Sequence, residues 1–187
     1  MKKVSFFLLG AAFLASSLAF VAPKNPKAPI TLAVQSDKSR VDFIGSKAAD
    51  FHTGTFAVKG GSVQVEGGKL VGGSFVIDLA NLKVTDAAGD RLAGHLKSAD
   101  FFDVAKFGEA VYTISSVDYS SATACTINGT LNIKGVGVPV SFAANIRSAS
   151  EKGLFGQAYF SLDRTLLGIA YAGPSKDVQI AVHLFAK

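Results

Sequence analysis

The sequence is poor in cysteine, methionine and tryptophan. Its 187 residues include one cysteine (Cys125), one methionine, no tryptophan and five prolines. Because a single cysteine cannot form an intramolecular disulfide, a hydrophobic core has to hold the fold together. Cys125 lies in a strand-like pattern, which favours a small buried side chain over a reactive thiol.

Motifs for catalysis, metal binding and nucleic-acid binding are also missing. There is no Gly-x-Ser-x-Gly elbow and no phosphate-binding glycine loop. The three histidines lie far apart, and none has a second histidine at metal-ligand spacing. The formal net charge is +5, but the basic residues are scattered and form no nucleic-acid arm. We therefore expect no enzymatic activity, no metal or other cofactor and no nucleic-acid partner.

The N-terminus has the pattern of a secretory signal peptide. Two lysines precede an uncharged apolar run over 4–15, and small residues follow up to Ala19. This pattern predicts a signal peptide over 1–19, cleaved after Ala19 or alternatively after Ala22, and a periplasmic or secreted protein. A retained membrane anchor is less favoured, because a membrane span needs about 20 apolar residues.

A flexible linker is predicted over 20–32, where prolines and lysines accumulate. The remaining residues, 33–187, have the length of one domain with a full core. After cleavage of the signal peptide, this domain is expected to have no stable membrane anchor.

Most of the domain alternates between apolar and polar residues. Val138, Val140 and Phe142, for example, share one face of a strand. The alternation predicts eight or nine antiparallel strands, and closure into a barrel would remove their exposed edges. Asn128-Gly129 suits a hairpin turn, but the alternation continues through it and predicts strand interior. Turns are predicted at Gly60-Gly61, Gly67-Gly68, Gly135-Val136-Gly137 and Gly173-Pro174.

One segment breaks the alternation. Leu92, Leu96 and Ala99 have helical spacing, and Asp90 fits an N-cap, so a short helix is predicted near 90–99. His95 borders the apolar face of this helix. It would either tie the helix to the barrel or contact a ligand head group at a pocket mouth.

Phenylalanine is abundant and predicts an aromatic interior. Small residues accompany it in the strands, and unfilled apolar volume would bind apolar ligands. Alternatively, the small residues only permit strand twist and the barrel is filled. The phenylalanines expected inside are Phe43, Phe51, Phe56, Phe75, Phe142, Phe155 and Phe160.

Two further polar positions are candidates for ligand contacts. Arg164 would bind a phosphate or carboxylate at a barrel rim, or instead pair with Asp163 or Asp100 to fix a loop. His52, near the start of a strand, is more typical of a structural histidine. His183 is predicted to face solvent.

In their order along the chain, these stretches resemble the YceI-like family of secreted, polyisoprenoid-binding, lipocalin-like proteins. The resemblance implies an all-β, extended antiparallel lipocalin-like barrel of about eight strands, with a helix near one end. It also implies a long apolar ligand in the interior, such as a polyisoprenoid, an isoprenoid quinone or a fatty-acyl derivative. The stretches that carry it are 39–43, 51–56, 70–78, 92–104, 129–140, 164–171 and 178–184.

The expected function is therefore a binding protein for an apolar, lipid-like ligand. A small lipid-directed hydrolase and a non-binding structural or stress-related barrel are the alternatives. A homodimer formed through an exposed barrel edge is a further expectation.

Of the two adjacent phenylalanines Phe101 and Phe102, one is expected to plug the barrel end. The expected ligand-binding residues are His95, Phe102, Arg164, Tyr171, Phe75, Phe142 and His52, with Lys97 and Asp100 as supporting polar groups.

Overall fold

The structure, a computed structural model, describes residues 28–187. The predicted signal peptide, its cleavage position and most of the predicted linker lie outside these residues. One helix, α1 (Gly89–Lys97), and one 3₁₀ helix (Arg164–Leu167) interrupt a chain of strands. The strands are β1 (Ile30–Ala33), β2 (Arg40–Lys47), β3 (Asp50–Glu66), β4 (Lys69–Val84), β5 (Glu109–Tyr119), β6 (Ala124–Ile133), β7 (Val136–Ser150), β8 (Gly153–Asp163) and β9 (Asp177–Ala186).

The strands close into an antiparallel barrel. Strands β2 to β9 form a ring in the order β3-β2-β9-β8-β7-β6-β5-β4, and β3 pairs with β4 to complete it. β3 is long enough to pair with β2 through its first half and with β1 through its second half. The predicted all-β barrel of about eight strands with one short helix is confirmed.

The first strand begins earlier than predicted. β1 starts at Ile30, inside the stretch predicted as linker, and Ile30 pairs with Val65 of β3. Leu32 is buried there, because Ile30 and Leu32 continue the period-two pattern on the inner face. The ordered strand pairing therefore starts three residues before the predicted domain boundary at 33.

Two of the predicted glycine turns show how local geometry decides between turn and strand. Gly67-Gly68 joins β3 to β4, as predicted. Gly60-Gly61 was predicted as a turn and instead lies inside β3, beside a register shift in the pairing with β4. A Cβ on Gly61 would lie 2.2 Å from the Ser74 carbonyl oxygen, so the glycine permits a close approach of the two strands. The strand interior predicted at Asn128-Gly129 is confirmed within β6.

The helix begins differently from the prediction. Its N-cap is Ala88, which makes no side-chain capping bond, and Asp90 lies in the first turn. The predicted Asp90 N-cap is wrong because the Asp86 carboxylate, two residues before Ala88, accepts the hydrogen bond from the Ala88 N–H. Asp90 still carries a negative charge near the positive end of the helix dipole.

The alternation of inward and outward positions along each strand decides which phenylalanines face the interior. Five of the seven expected inside, at positions 43, 56, 75, 142 and 160, do face the interior. Phe51 was expected inside but is 59% exposed, because its neighbour His52 takes the inward position. Phe155 faces outward and stacks on Phe185 at 4.2 Å, because Leu154 is the buried residue of that pair.

The barrel has two different ends. At the capped end lie α1 and the 164–176 loop; at the far end lie the β3–β4, β5–β6 and β7–β8 hairpins. Both ends of the described chain meet at the far end, where the Ala33 N–H donates to the Lys187 carbonyl. Within residues 28–187, no helix has both the length and the apolar character that a membrane crossing requires.

Candidate functional site: an apolar cavity in the capped half of the barrel

The capped half of the barrel encloses a cavity of about 220 Å³. All eight ring strands contribute side chains to its wall, and nearly all of these side chains are aliphatic or aromatic. The far half is instead filled by buried residues that do not line the cavity. Among them are Val63, Leu70, Ile127, Ile146 and Leu154. The sequence left open whether the barrel is hollow or filled. The structure has a hollow capped half and a filled far half.

Four aromatic rings lie at the inner end of the cavity. Tyr112 lies 5.7 Å from Phe75 and 5.4 Å from Phe142, measured between ring centroids. Phe142 in turn stacks on Phe160 at 4.4 Å. Each ring is the deepest cavity-lining residue of its own strand. Phe75, Tyr112, Phe142 and Phe160 together form what we call the aromatic floor.

Tyr112 is held in this floor by a buried hydrogen bond. Its hydroxyl donates to the Val140 carbonyl at 2.9 Å. Burial raises the pKa of Tyr112 from its ordinary 10.0 to about 12, because the phenolate would lose its hydration. Gly129 of β6 leaves room for the ring, since a Cβ there would lie 2.6 Å from the Tyr112 Cζ.

Alkaline pH is expected to destabilise the protein through Tyr112. Between pH 10 and about 12 the unfolded chain releases the phenolic proton while the folded protein keeps it, so stability falls as the pH rises. Thermal unfolding measured across this range would show the decline. In the Tyr112→Phe variant the decline should be shallower, and equal slopes for the two proteins would contradict the assignment.

The cavity mouth lies between the β2–β3 hairpin and the 164–176 loop. Ser46 and Lys47 of β2, His52 of β3, and Ser175 of the loop line this region and supply its polar groups. A hydrogen bond from the Ser175 N–H to the Ser46 carbonyl, 2.7 Å long, joins the loop to the hairpin. A ligand with one polar end would therefore place that end here and its apolar part against the floor.

Helix α1 and the residues after it close the rest of the capped end. Leu92 and Leu96, one helical turn apart, both line the cavity. Phe101 and Phe102 also line it. Phe102 packs edge-on against Phe56 at 5.6 Å. This half of the molecule is therefore closed by apolar side chains on a short helix and its following turn.

His52 lies beside two carboxylates and is hydrogen-bonded to one of them. Its Nδ1 lies 3.3 Å from an oxygen of Asp86, and its Nε2 lies 3.9 Å from an oxygen of Asp50. Asp86 also accepts hydrogen bonds from the Ala88 N–H and the Thr53 N–H. These two backbone donors, and then His52, hold the pKa of Asp86 below its ordinary value. Asp86 thus connects the start of β3 to the turn before α1.

Replacing Asp86 by asparagine is expected to destabilise the protein in a pH-dependent way. The pKa of Asp86 is lower in the folded protein than its unfolded-state value of 3.8. The ionised Asp86 therefore stabilises the fold above pH 3.8, and this stabilisation is lost as the pH falls through the folded-state pKa. The melting temperature of Asp86→Asn should lie below that of the wild type at neutral pH. The difference should close below pH 3.8, and a constant difference would contradict this role.

Arg164 is committed to the backbone of its own loop. Its guanidinium donates to the carbonyls of Ser175, Ile169, Tyr171 and Pro174 at 2.6–2.9 Å, and the residue is only 9% exposed. The predicted ion pairs with Asp163 or Asp100 are wrong, because these carbonyls take up the guanidinium donors. Asp163 instead lies 3.6 Å from Lys176. Arg164 borders the cavity, but its main effect is to shape the 164–176 loop.

His95 and Tyr171 form an aromatic clasp outside the cavity. The His95 ring lies 5.0 Å from Tyr171 and 5.1 Å from Phe101, nearly perpendicular to both. Phe101 and Tyr171 lie 4.8 Å apart. The clasp ties α1 to the 164–176 loop, which is the structural alternative considered for His95.

The expected site residues therefore divide into two groups. Those that line the cavity are Phe75, Phe102, Phe142, His52 and Arg164. His95, Tyr171, Lys97 and Asp100 do not line it. Among the described residues, no three histidine, cysteine, aspartate or glutamate side chains come together in a way that would hold a metal ion.

Residues 32–186 match the model of the YceI-like domain. The chain belongs to the YceI-like family. No curated protein sequence matches it. The match confirms the family resemblance that the ordered sequence stretches had indicated.

Several solved structures share the fold. BcnA of Burkholderia cenocepacia has a TM-score of 0.70 at 18% identity, over 82% of this chain and 99% of that chain. A polyisoprenoid-binding domain from Saccharophagus degradans, implicated in plant cell wall breakdown, has a TM-score of 0.66 at 18% identity, over 83% of this chain and 97% of that chain. The YCEI protein of Campylobacter jejuni has a TM-score of 0.59 at 14% identity, over 96% of this chain and 99% of that chain. At these identities the likeness shows the fold alone.

Two residues of this YceI-like barrel were not found from the sequence. Tyr112 was missed although Ala110, Tyr112 and Ile114 alternate like the other inward positions, so the signal was present. Asp86 was missed because no local pattern joins it to His52, which lies 34 residues earlier.

Proposed function

We propose that this protein is a periplasmic or secreted carrier that buries the apolar part of a lipid-like ligand and performs no chemistry on it. The ligand classes are a polyisoprenoid, an isoprenoid quinone or a fatty-acyl derivative. The apolar cavity with its polar groups gathered at one mouth carries the proposal. The N-terminal signal pattern supports export, and the polyisoprenoid-binding domain from Saccharophagus degradans supports the ligand class.

Burial of the ligand would supply most of the affinity. Each methylene transferred from water into the cavity contributes about 0.8 kcal/mol. Lys47 and His52 at the mouth would orient the polar end, whereas Arg164 already donates to four carbonyls. The polar groups would therefore orient the ligand, and the apolar wall would supply most of the binding affinity.

The test is to purify the protein from its own host and identify what travels with it. Native mass spectrometry should show an adduct, and extraction should release a prenyl or fatty-acyl compound. Cell fractionation should place the protein outside the cytoplasm with its first residues removed. If no lipid co-purifies and no prenyl or fatty-acyl probe binds, the carrier function is refuted.

A lipid-directed hydrolase is the second candidate, because His52 lies beside a carboxylate at a cavity mouth. The Asp86 carboxylate is already shared with two backbone N–H groups, which fits a turn anchor better than the partner of a catalytic base. Hydrolysis of a p-nitrophenyl acyl ester should be no faster with the wild type than with His52→Gln. A clear loss of hydrolysis in that variant would favour the enzyme.

A further inference from the structure

The cavity is too small for a long chain. Its volume is about 220 Å³, and an apolar cavity of about 150 Å³ in another protein holds benzene. Scaled by volume, the cavity takes on the order of ten carbon atoms. A longer chain would have to leave its remainder outside the barrel or displace the aromatic floor.

The aromatic floor resists that displacement. Moving the Tyr112 ring would break its hydrogen bond to the Val140 carbonyl inside the barrel. The ring already occupies the space left by the missing side chain of Gly129, so it cannot retreat further toward β6. Phe142 and Phe160 are stacked with only 5° between their planes. Below the floor lie buried aliphatic side chains that do not line the cavity, such as Val63, Leu70 and Ile146.

We propose that the aromatic floor limits the ligand to a short buried tail of on the order of ten carbons, about two isoprene units or a medium-length acyl chain. Tyr112 is the residue that sets this limit. The inference rests on the proposed carrier function and adds a length specificity to it. The chain enters tail first, its polar end stays near Lys47 and His52, and any carbons beyond the limit remain outside the floor.

A chain-length series tests the limit. Geraniol, farnesol and geranylgeraniol, with two, three and four isoprene units, would be titrated against the purified protein by calorimetry, together with octanol, decanol, dodecanol and hexadecanol. Affinity should rise about fourfold per methylene up to on the order of ten carbons and then level off. Farnesol and geranylgeraniol should therefore bind within a few-fold of geraniol.

A matched pair of variants locates the limit at Tyr112. Tyr112→Leu removes the ring and should raise the affinity for farnesol at least tenfold relative to geraniol. Tyr159→Leu makes the same substitution at an exposed position on the outer face of β8 and should leave the length profile unchanged. A Tyr112→Leu profile identical to that of the wild type would overturn the role of Tyr112.

The outcomes separate the two proposals. Affinity that keeps rising through geranylgeraniol in the wild type would overturn the length limit and leave the carrier standing. Absence of binding at every length would overturn the carrier itself. The wild-type series is decisive even where Tyr112→Leu fails to fold.

Discussion

Replacing Arg164 by methionine is expected to lower the free energy of unfolding by about 3–5 kcal/mol. The guanidinium donates to four backbone carbonyls of one loop, of which the Ile169 carbonyl is buried and the other three are part-buried. A buried carbonyl left without a donor costs about 1–3 kcal/mol, and a part-buried carbonyl costs less because water can replace the donor. Methionine fills much of the same volume, so the loss would come from the hydrogen bonds rather than from a cavity. Urea unfolding at neutral pH measures it.

Arg164→Lys is the matched control. Lysine keeps the positive charge, but its ammonium cannot reach four carbonyls that a planar guanidinium meets together. Its loss of stability should fall between that of the wild type and that of Arg164→Met. A loss below about 1 kcal/mol for Arg164→Met would show that solvent replaces these hydrogen bonds at little cost.

Filling the cavity mouth at Gly45 is expected to abolish most ligand binding. Gly45 lines the cavity, and a Cβ placed there would meet no atom within 4 Å, so Gly45→Leu adds a side chain without a clash. The four added carbons would displace about four ligand carbons, at about 0.8 kcal/mol each. The sum is about 3 kcal/mol, or a Kd raised on the order of 100-fold.

Gly94→Leu provides the control for that change. Gly94 lies in α1, a Cβ there also meets no atom within 4 Å, and the residue does not line the cavity. Both variants should fold with stability close to or above that of the wild type, because each replaces a glycine inside a regular element. Unchanged affinity in Gly45→Leu, or an equal loss in Gly94→Leu, would contradict binding inside the barrel.

The sequence predicted the barrel well because strand alternation records which face each residue occupies. That signal identified Phe75 and Phe142 as interior residues. Phe51 and Phe155 were also predicted to lie inside, because the prediction did not check whether each residue falls on an inward or an outward position of its strand. In each case the neighbouring residue, His52 or Leu154, occupies the inward position. Residue type alone therefore misplaced two aromatic rings that strand register places correctly.

The polar part of the site was harder to predict, because its partners are distant in sequence or lie on the backbone. The carboxylate that anchors His52 belongs to Asp86, on the far side of two long strands. The groups that bind Arg164 are carbonyls, which every residue carries. His95 was expected as a ligand contact or a structural tie, and ring packing places it in the clasp between helix and loop.

Both ends of the described chain lie beside the far-end hairpins, opposite the capped end that holds the cavity. A group attached after Lys187, such as an affinity tag, a fluorescent partner or a sensor surface, would therefore begin at the far end of the barrel. A molecule immobilised through its C-terminus would therefore keep the cavity mouth on the side facing away from the surface. The fold is in this respect already arranged for a biosensor that reads ligand uptake without obstruction by its own attachment point.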